Sequence, residues 1–204
     1  MRKLYYVVDP MCSWCYGFAP ALRVVEPKLA PDVTLELVMG GLAPDSRTPM
    51  PAEMRAYVQD AWRAVEARCG TPFNHDFWQE CEPRRSTYPA CRAVILAREA
   101  GLGRELLAAL QRAYYLEARN PSDESTLVTL AGEIGMDTTA FAAGLVDERT
   151  QARLLADFEL RDRLGATGYP SLGVERDGRL ALVTSGCLDA ETLRARLEGA
   201  GLLA

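Results

Sequence analysis

A strand-like run followed at once by two closely spaced cysteines is the feature that most limits how this chain can fold. Residues Leu4 to Val8 are apolar, aromatic or β-branched, and Asp9-Pro10 ends the run, which is typical of a buried strand. Cys12 and Cys15 begin a segment whose apolar side chains recur at helical spacing. Two thiols at this spacing can close a disulfide across the first turn of a helix, and the helix N-terminus stabilises a thiolate. The pattern predicts a strand, a short connection carrying both thiols, and a helix.

The cysteine pair is open to two interpretations. In the first, Cys12 lies exposed at the helix start and attacks a substrate disulfide, and the more buried Cys15 resolves the mixed disulfide. In the second, the pair is half of a zinc site or two inert thiols. A zinc site needs about four ligands, and the chain has neither a second Cys-x-x-Cys motif nor a pair of histidines. We therefore interpret Cys12 and Cys15 as redox-active and expect no metal.

Charge and hydropathy exclude several other classes of protein. The 204 residues carry a formal net charge of -5 without a lysine- or arginine-rich run, so we expect no nucleic acid and no membrane surface as partner. No segment approaches the ~18 apolar residues of a membrane span, and the N-terminal residues do not resemble a signal peptide. We expect a cytoplasmic protein whose six cysteines are mostly reduced.

The order of predicted elements divides the chain into two parts. Residues 1–45 predict a β-α-β unit, and residues 166–204 predict a β-hairpin around Asp177-Gly178 followed by a helix capped by Asp189. The intervening residues 46–165 are almost wholly helical in pattern. The predicted helices cover residues 12–30, 51–69, 88–100, 104–119, 125–134, 138–146 and 150–164. The sequence thus predicts an α/β domain split by a large all-helical insertion.

Tyr169-Pro170 stands between the helical part and the predicted hairpin. Pro170 could simply begin a strand, because proline cannot donate to a β-ladder. Alternatively it is a cis-proline whose turn leaves neighbouring backbone groups free to pair with an extended substrate. Its position downstream of a Cys-x-x-Cys β-α-β unit favours the cis form.

These motifs together resemble the thioredoxin superfamily, specifically the DsbA-like branch with its inserted helical domain. Residues Asp9 to Phe18 and Tyr88 to Ala93 are similar to the FrnE-like group of predicted protein-disulfide isomerases, and the resemblance covers the full length. It implies a thioredoxin-like fold and a thiol-disulfide oxidoreductase, with Cys12 as nucleophile, Cys15 as resolving thiol and Pro170 as the cis-proline. We expect Ser13, Trp14 and Tyr169 beside the substrate, which is a protein or small-molecule disulfide. No resident cofactor is implied; glutathione could serve as co-substrate.

Two residues depart from relatives in this superfamily. Thioredoxins carry a buried acid six positions before the nucleophile, where this chain has Tyr6; a water or the nearby Asp9 could substitute for it. Periplasmic DsbA proteins have a histidine before the second cysteine, where this chain has Trp14. Without a cation in the motif, we predict a pair that is less oxidising than theirs, suited to a reductase or isomerase.

Two other functions stay open. Kappa-class glutathione transferases and 2-hydroxychromene-2-carboxylate isomerases share the inserted-helix architecture and use a serine near the strand-helix junction to activate glutathione. Ser13 could play that part, although that chemistry needs neither cysteine. The third alternative is a non-catalytic metabolite-binding relative, whose function would survive replacement of Cys12 by serine.

The remaining candidates are less specific. His75, the only histidine, lies in an aromatic segment and is either a partly buried polar residue or part of a substrate groove; we retain it as a candidate substrate-binding residue. Cys91 lies on a predicted helical face and is expected in the core. Cys69 and Cys81 could form an accessory redox pair, and Cys187 has no ligand-like spacing.

Overall fold

A four-stranded mixed sheet organises the fold. The computed structural model describes all residues from 1 to 204. The strands are β1 (Arg2–Val8), β2 (Val33–Met39), β3 (Ser171–Arg176) and β4 (Arg179–Ser185), arranged in the order β2-β1-β3-β4. β1 pairs parallel with β2 and antiparallel with β3, and β4 is antiparallel to β3. The two ends of the chain therefore build one sheet.

Nine helices complete the fold, and seven of them form the insertion between β2 and β3. They are α1 (Ser13–Val25), α2 (Ala52–Cys69), α3 (Phe77–Glu80), α4 (Tyr88–Glu99), α5 (Gly103–Leu116), α6 (Glu124–Glu133), α7 (Thr138–Leu145), α8 (Glu148–Arg163) and α9 (Ala190–Gly199). The chain is a thioredoxin-like α/β fold with an all-helical insertion, which confirms the predicted fold class.

Two details differ from the predicted elements. α1 ends at Val25 and a 3₁₀ turn follows at Glu26–Lys28, whereas the apolar spacing predicts a helix to residue 30. Pro27 has no N–H with which to continue an α-helical ladder, so the last turn tightens. The short helix α3 lies where the sequence predicts a loop, because its apolar residues Phe77 and Trp78 are too few to establish a helical period.

Turns and caps follow the local sequence. Asp177 and Gly178 have φ values of 52° and 72°, and positive φ at both central residues is what a type I′ hairpin turn requires. Gly165 ends α8 with φ 73°, a conformation that glycine adopts without steric cost. Asp189 caps α9 through a hydrogen bond from the Thr192 N–H, 2.7 Å long.

Removing the cap of α9 should destabilise the protein measurably. We expect Asp189→Ala to lower the free energy of unfolding, because the Thr192 N–H loses its acceptor. The matched control is Glu191→Ala, since Glu191 lies in the same first turn but accepts no capping hydrogen bond and interacts only with the helix dipole. Urea unfolding measures both; equal losses would contradict the capping role.

The insertion and the sheet share one hydrophobic core. A single cluster of buried side chains includes Leu4 of β1, Phe18 of α1 and Trp62 of α2. α8 packs against β2, and α1 contacts both α2 and α9. The insertion is therefore fixed to α1 by packing. None of the helices combines the length and the apolarity that crossing a bilayer demands.

Candidate redox site

The two thiols of the Cys-x-x-Cys motif lie where β1 gives way to α1. Cys12 is the N-cap residue, with extended backbone angles of φ -86° and ψ 113°. Its N–H donates to the Asp9 carbonyl at 3.1 Å, and its carbonyl accepts from the Tyr16 N–H at 3.0 Å. Cys15 follows in the first turn, and neither thiol is in a disulfide. The placement at a helix N-terminus agrees with the sequence prediction.

The exposure predicted for Cys12 is wrong. Its relative exposure is 6%, and that of Cys15 is 0%. The cause is the turn before β3, which lies against the nucleophile: the Cys12 Sγ is 3.7 Å from the Tyr169 carbonyl oxygen, to which it donates. A substrate sulfur therefore has to reach Cys12 beside this turn.

The Tyr169–Pro170 peptide bond is cis, as predicted. Pro170 is buried, and its carbonyl accepts from the Gly186 N–H at 2.8 Å, so the turn is tied to the end of β4. The Tyr169 hydroxyl donates to the Gly40 carbonyl at 2.7 Å and accepts from Arg161 at 3.3 Å. A Cβ at Gly40 would lie 2.6 Å from the Tyr169 ring, which explains the glycine after β2.

Electrostatics keep the second thiol protonated. Burial, the hydrogen bond with Cys12 and the charge on Cys12 raise the pKa of Cys15 well above its usual range. Burial also raises the pKa of Tyr6, whose hydroxyl lies 3.5 Å from the Cys15 carbonyl oxygen. Tyr6 therefore contacts the backbone of the resolving residue as a neutral phenol. It does not supply the acid that thioredoxins place at this position.

Asp9 is the most heavily bonded side chain of the site. It is 0% exposed, and its Oδ1 accepts from the Met11 N–H at 2.8 Å. Its Oδ2 accepts from the Leu42 N–H and the Thr87 hydroxyl, each at 2.7 Å, and from the Cys91 thiol at 3.6 Å. Burial raises the Asp9 pKa, while these hydrogen bonds oppose the rise.

This network gives Asp9 a positioning role. It joins the residue before Cys12 to the loop after β2 and to the first turn of α4. Neither carboxylate oxygen accepts from Cys15, so the sequence-based suggestion that Asp9 takes the proton of Cys15 has no support in the geometry. Cys91 lies in the core, as expected, with 0% exposure.

The other predicted substrate-binding residues fall into two groups. Ser13 and Trp14 are the two residues that follow Cys12. Ser13 is 8% exposed, and Trp14 is partly buried against the main core. His75 accompanies the insertion instead: its Nε2 is 3.0 Å from Glu66 Oε2, and its ring lies beside Trp62. These contacts make His75 part of the insertion's own packing, and its role toward a substrate stays a prediction.

The suggested accessory pair of Cys69 and Cys81 is wrong. Cys81 Sγ donates to the Ala118 carbonyl at 2.9 Å, whereas Cys69 Sγ lies 3.2 Å from Cys187 Sγ. Cys69 ends α2, and Cys187 lies between β4 and α9. Spacing in the sequence cannot reveal such a pair, because its members come from the two different parts of the chain.

Sequence reasoning also missed the partners that hold the site. Thr87 bonds to Asp9 from 78 positions away in the sequence, and Arg161 of α8 bonds to Tyr169, which lies only 8 positions after it. One feature of the sequence points to Thr87: it directly precedes the segment from Tyr88 to Ala93, which resembles the family. No local pattern in the sequence indicates that Arg161 bonds to Tyr169.

The chain matches a known protein family over nearly its whole length. A family model described as the DSBA-like thioredoxin domain matches residues 4–198. The chain belongs to this family. Its members combine the thioredoxin fold with a helical insertion, which is the arrangement seen here.

Solved structures agree over nearly the whole length. A candidate protein disulfide isomerase from Nitrosomonas europaea is 30% identical, with a TM-score of 0.86, and the match covers 97% of this chain and 96% of the other. The cytosolic disulfide reductase DsbM from Pseudomonas aeruginosa is also 30% identical, with a TM-score of 0.78 and coverage of 97% and 98%. A further structure of DsbM is described with GSH.

A more distant relative is longer. The ClpXP adapter protein SpxH of Bacillus subtilis is 22% identical over 174 residues, which is 83% of this chain and 57% of SpxH. The chain thus spans little more than half the length of this relative. The two solved relatives that match over nearly the whole chain are described as a disulfide reductase and a candidate disulfide isomerase.

Proposed function

We propose that this protein reduces or isomerises disulfides through Cys12 and Cys15. The observation that carries the proposal is the juxtaposition of Cys12, at the start of α1, with the Tyr169 carbonyl of the cis-proline turn. The Tyr169 N–H donates to no group of the protein. An extended substrate segment can therefore pair with this turn while its sulfur lies against Cys12.

The reaction proceeds by two exchanges. The Cys12 thiolate attacks one sulfur of the substrate disulfide, forms a mixed disulfide and releases the other sulfur as a thiolate. Cys15 then gives up its proton and attacks Cys12 Sγ, which closes the Cys12–Cys15 disulfide and releases the second substrate thiolate. Two equivalents of a thiol such as glutathione reduce the pair again, and become one disulfide.

The surroundings of Cys12 favour a reducing or isomerising pair. Its hydrogen-bond partner is a carbonyl oxygen, which accepts from a thiol and gives a thiolate no stabilisation. The adjacent Trp14 carries no charge. A strongly oxidising pair requires its reduced form to be stabilised, and no charged hydrogen-bond partner does so here. The description of DsbM as a cytosolic reductase supports this direction and a cytoplasmic location.

Trapping the mixed disulfide tests the proposal. We expect a Cys15→Ser variant, mixed with glutathione disulfide, to retain one glutathione on Cys12, because the resolving thiol is absent. Peptide mass spectrometry locates the adduct, and Cys12→Ser serves as the control without it. If Cys12 stays unmodified while glutathione binds without a covalent bond, the glutathione-dependent isomerase or transferase becomes the better assignment.

The resolving step should accelerate with pH. Because Cys15 is held protonated, its thiolate fraction and hence the release of the second glutathione should rise about tenfold per pH unit below its pKa. Stopped-flow mixing of the reduced protein with excess glutathione disulfide, between about pH 6 and pH 9, measures this release. The Cys15→Ser variant is the control, and a pH-independent second release would contradict the assignment of Cys15.

A further inference from the structure

A second pair of thiols lies outside the Cys-x-x-Cys motif. Cys69 Sγ and Cys187 Sγ are 3.2 Å apart, and both side chains are partly exposed. A disulfide has an S–S bond of about 2.05 Å, so the sulfurs need to approach by only about 1 Å. Cys69 is the last residue of α2, and Cys187 lies in the connection between β4 and α9, where backbone adjustment is easiest. The remaining thiols, Cys81 and Cys91, have other partners.

Close packing of α2 on α1 places Cys69 beside the thioredoxin-like half of the chain. A Cβ at Gly17 of α1 would lie 3.1 Å from Cys69 Sγ and 2.6 Å from Val65. Glycine at this position therefore lets the end of α2 lie directly on α1. Cys69 and Cys187 also line one cavity of about 640 Å³, together with Gly17 and Arg68. A small disulfide can approach the pair through this cavity.

We propose that Cys69 and Cys187 form a second, reversible disulfide that ties the helical insertion to the thioredoxin-like half beside the active-site helix. The oxidant is a small-molecule disulfide such as glutathione disulfide. Cys69 attacks one of its sulfurs, forms a mixed disulfide and releases one glutathione as thiolate. Cys187 loses its proton, attacks Cys69 Sγ and releases the second glutathione. Two protein thiols are oxidised and one glutathione disulfide is reduced to two thiols.

The protonation of the pair agrees with this order of attack. Burial, the hydrogen bond with Cys69 and the charge on Cys69 raise the pKa of Cys187 to about 12, and the Cys12 charge adds to the rise while Arg68 opposes it. Cys187 is therefore a neutral thiol that can donate to Cys69.

The test uses a protein without the active pair, so that its outcome does not depend on the proposed function. A Cys12→Ser/Cys15→Ser double variant is equilibrated with glutathione disulfide, alkylated after denaturation and digested. We expect a peptide that joins Cys69 to Cys187, the loss of both their thiols, and alkylated Cys81 and Cys91. Adding Cys81→Ser should leave the linked peptide intact, whereas adding Cys69→Ser should abolish it.

Two outcomes would overturn the proposal. One is Cys69 and Cys187 remaining as thiols in excess glutathione disulfide; the other is a stable glutathione adduct on either residue without a linked peptide. If the double variant does not fold, the same peptide is sought in the wild-type protein. As a second measurement, oxidation should raise the urea midpoint of unfolding, because the bond closes a long loop between α2 and α9. The Cys69→Ser variant should show no such shift.

Discussion

Cys12→Ser is expected to lower the rate of insulin reduction by dithiothreitol to the uncatalysed background, a loss of at least about 1000-fold in kcat/KM. A serine hydroxyl is almost wholly protonated at neutral pH and forms no exchangeable bond with a disulfide sulfur, so the first exchange cannot occur. Cys12 is 6% exposed, but the substitution replaces only its sulfur by an oxygen. Because the change in volume is small, the fold should persist. The precipitation of the insulin B chain measures the rate.

Two controls separate the nucleophile from other thiols. Cys81→Ser makes the same chemical change at a partly exposed thiol whose partner is a backbone carbonyl, and it should retain wild-type activity. Cys15→Ser should lose turnover but still form the mixed disulfide once per molecule. Full activity of Cys12→Ser would refute the assignment of Cys12, because another thiol would then carry the reaction, whereas a wild-type protein without activity would favour the metabolite-binding alternative. Loss of activity in Cys81→Ser would indicate an unspecific effect.

The parts of the site that the sequence predicts are those with a local signal. The strand before Cys12, the helix after it and the hairpin around Asp177-Gly178 each depend on neighbouring residues, and the structure agrees with all three. The cis bond at Pro170 has no such local cause. Its prediction required combining the cysteine motif with the later hairpin, because only the order of elements brings them together.

The burial of Cys12 shows where local reasoning fails. A helix N-cap is usually accessible, so the sequence predicts an exposed thiol. The Tyr169 turn that covers it is about 157 positions away, and its position depends on sheet pairing and on the ring's contact with Gly40. The same limit applies to Cys69 and Cys187, which are 118 positions apart.

Asp9→Asn is expected to lower the free energy of unfolding by about 2–3 kcal/mol, because a buried donor loses its acceptor. The side-chain amide has one oxygen in place of two. If that oxygen faces Leu42 and Thr87, the Met11 N–H lies against the NH₂ group. If the oxygen faces Met11 instead, the Leu42 N–H lies against the NH₂ group. Either arrangement leaves one backbone N–H unpaired within the core. Urea unfolding measures the loss.

The matched control for this change is Asp45→Asn. Asp45 pairs with Arg92 of α4, but its side chain is 53% exposed. Water can replace the lost interaction there, so the expected cost is within about 1 kcal/mol. A similar loss in both variants would show that removal of negative charge, and not the buried hydrogen bonds, causes the effect of Asp9→Asn.

The pH dependence of the unfolding free energy tests the role of Asp9 more sharply. Because burial raises its pKa in the folded protein, the folded state holds this proton more tightly than the unfolded state does. The contribution of Asp9 to stability is therefore greatest below its unfolded pKa and declines as pH rises through the folded pKa. Asparagine does not titrate, so the difference between wild type and Asp9→Asn should shrink from acid toward neutral pH. A difference that grows over this range would mean that the carboxylate is stabilised in its ionised form by Met11, Leu42 and Thr87.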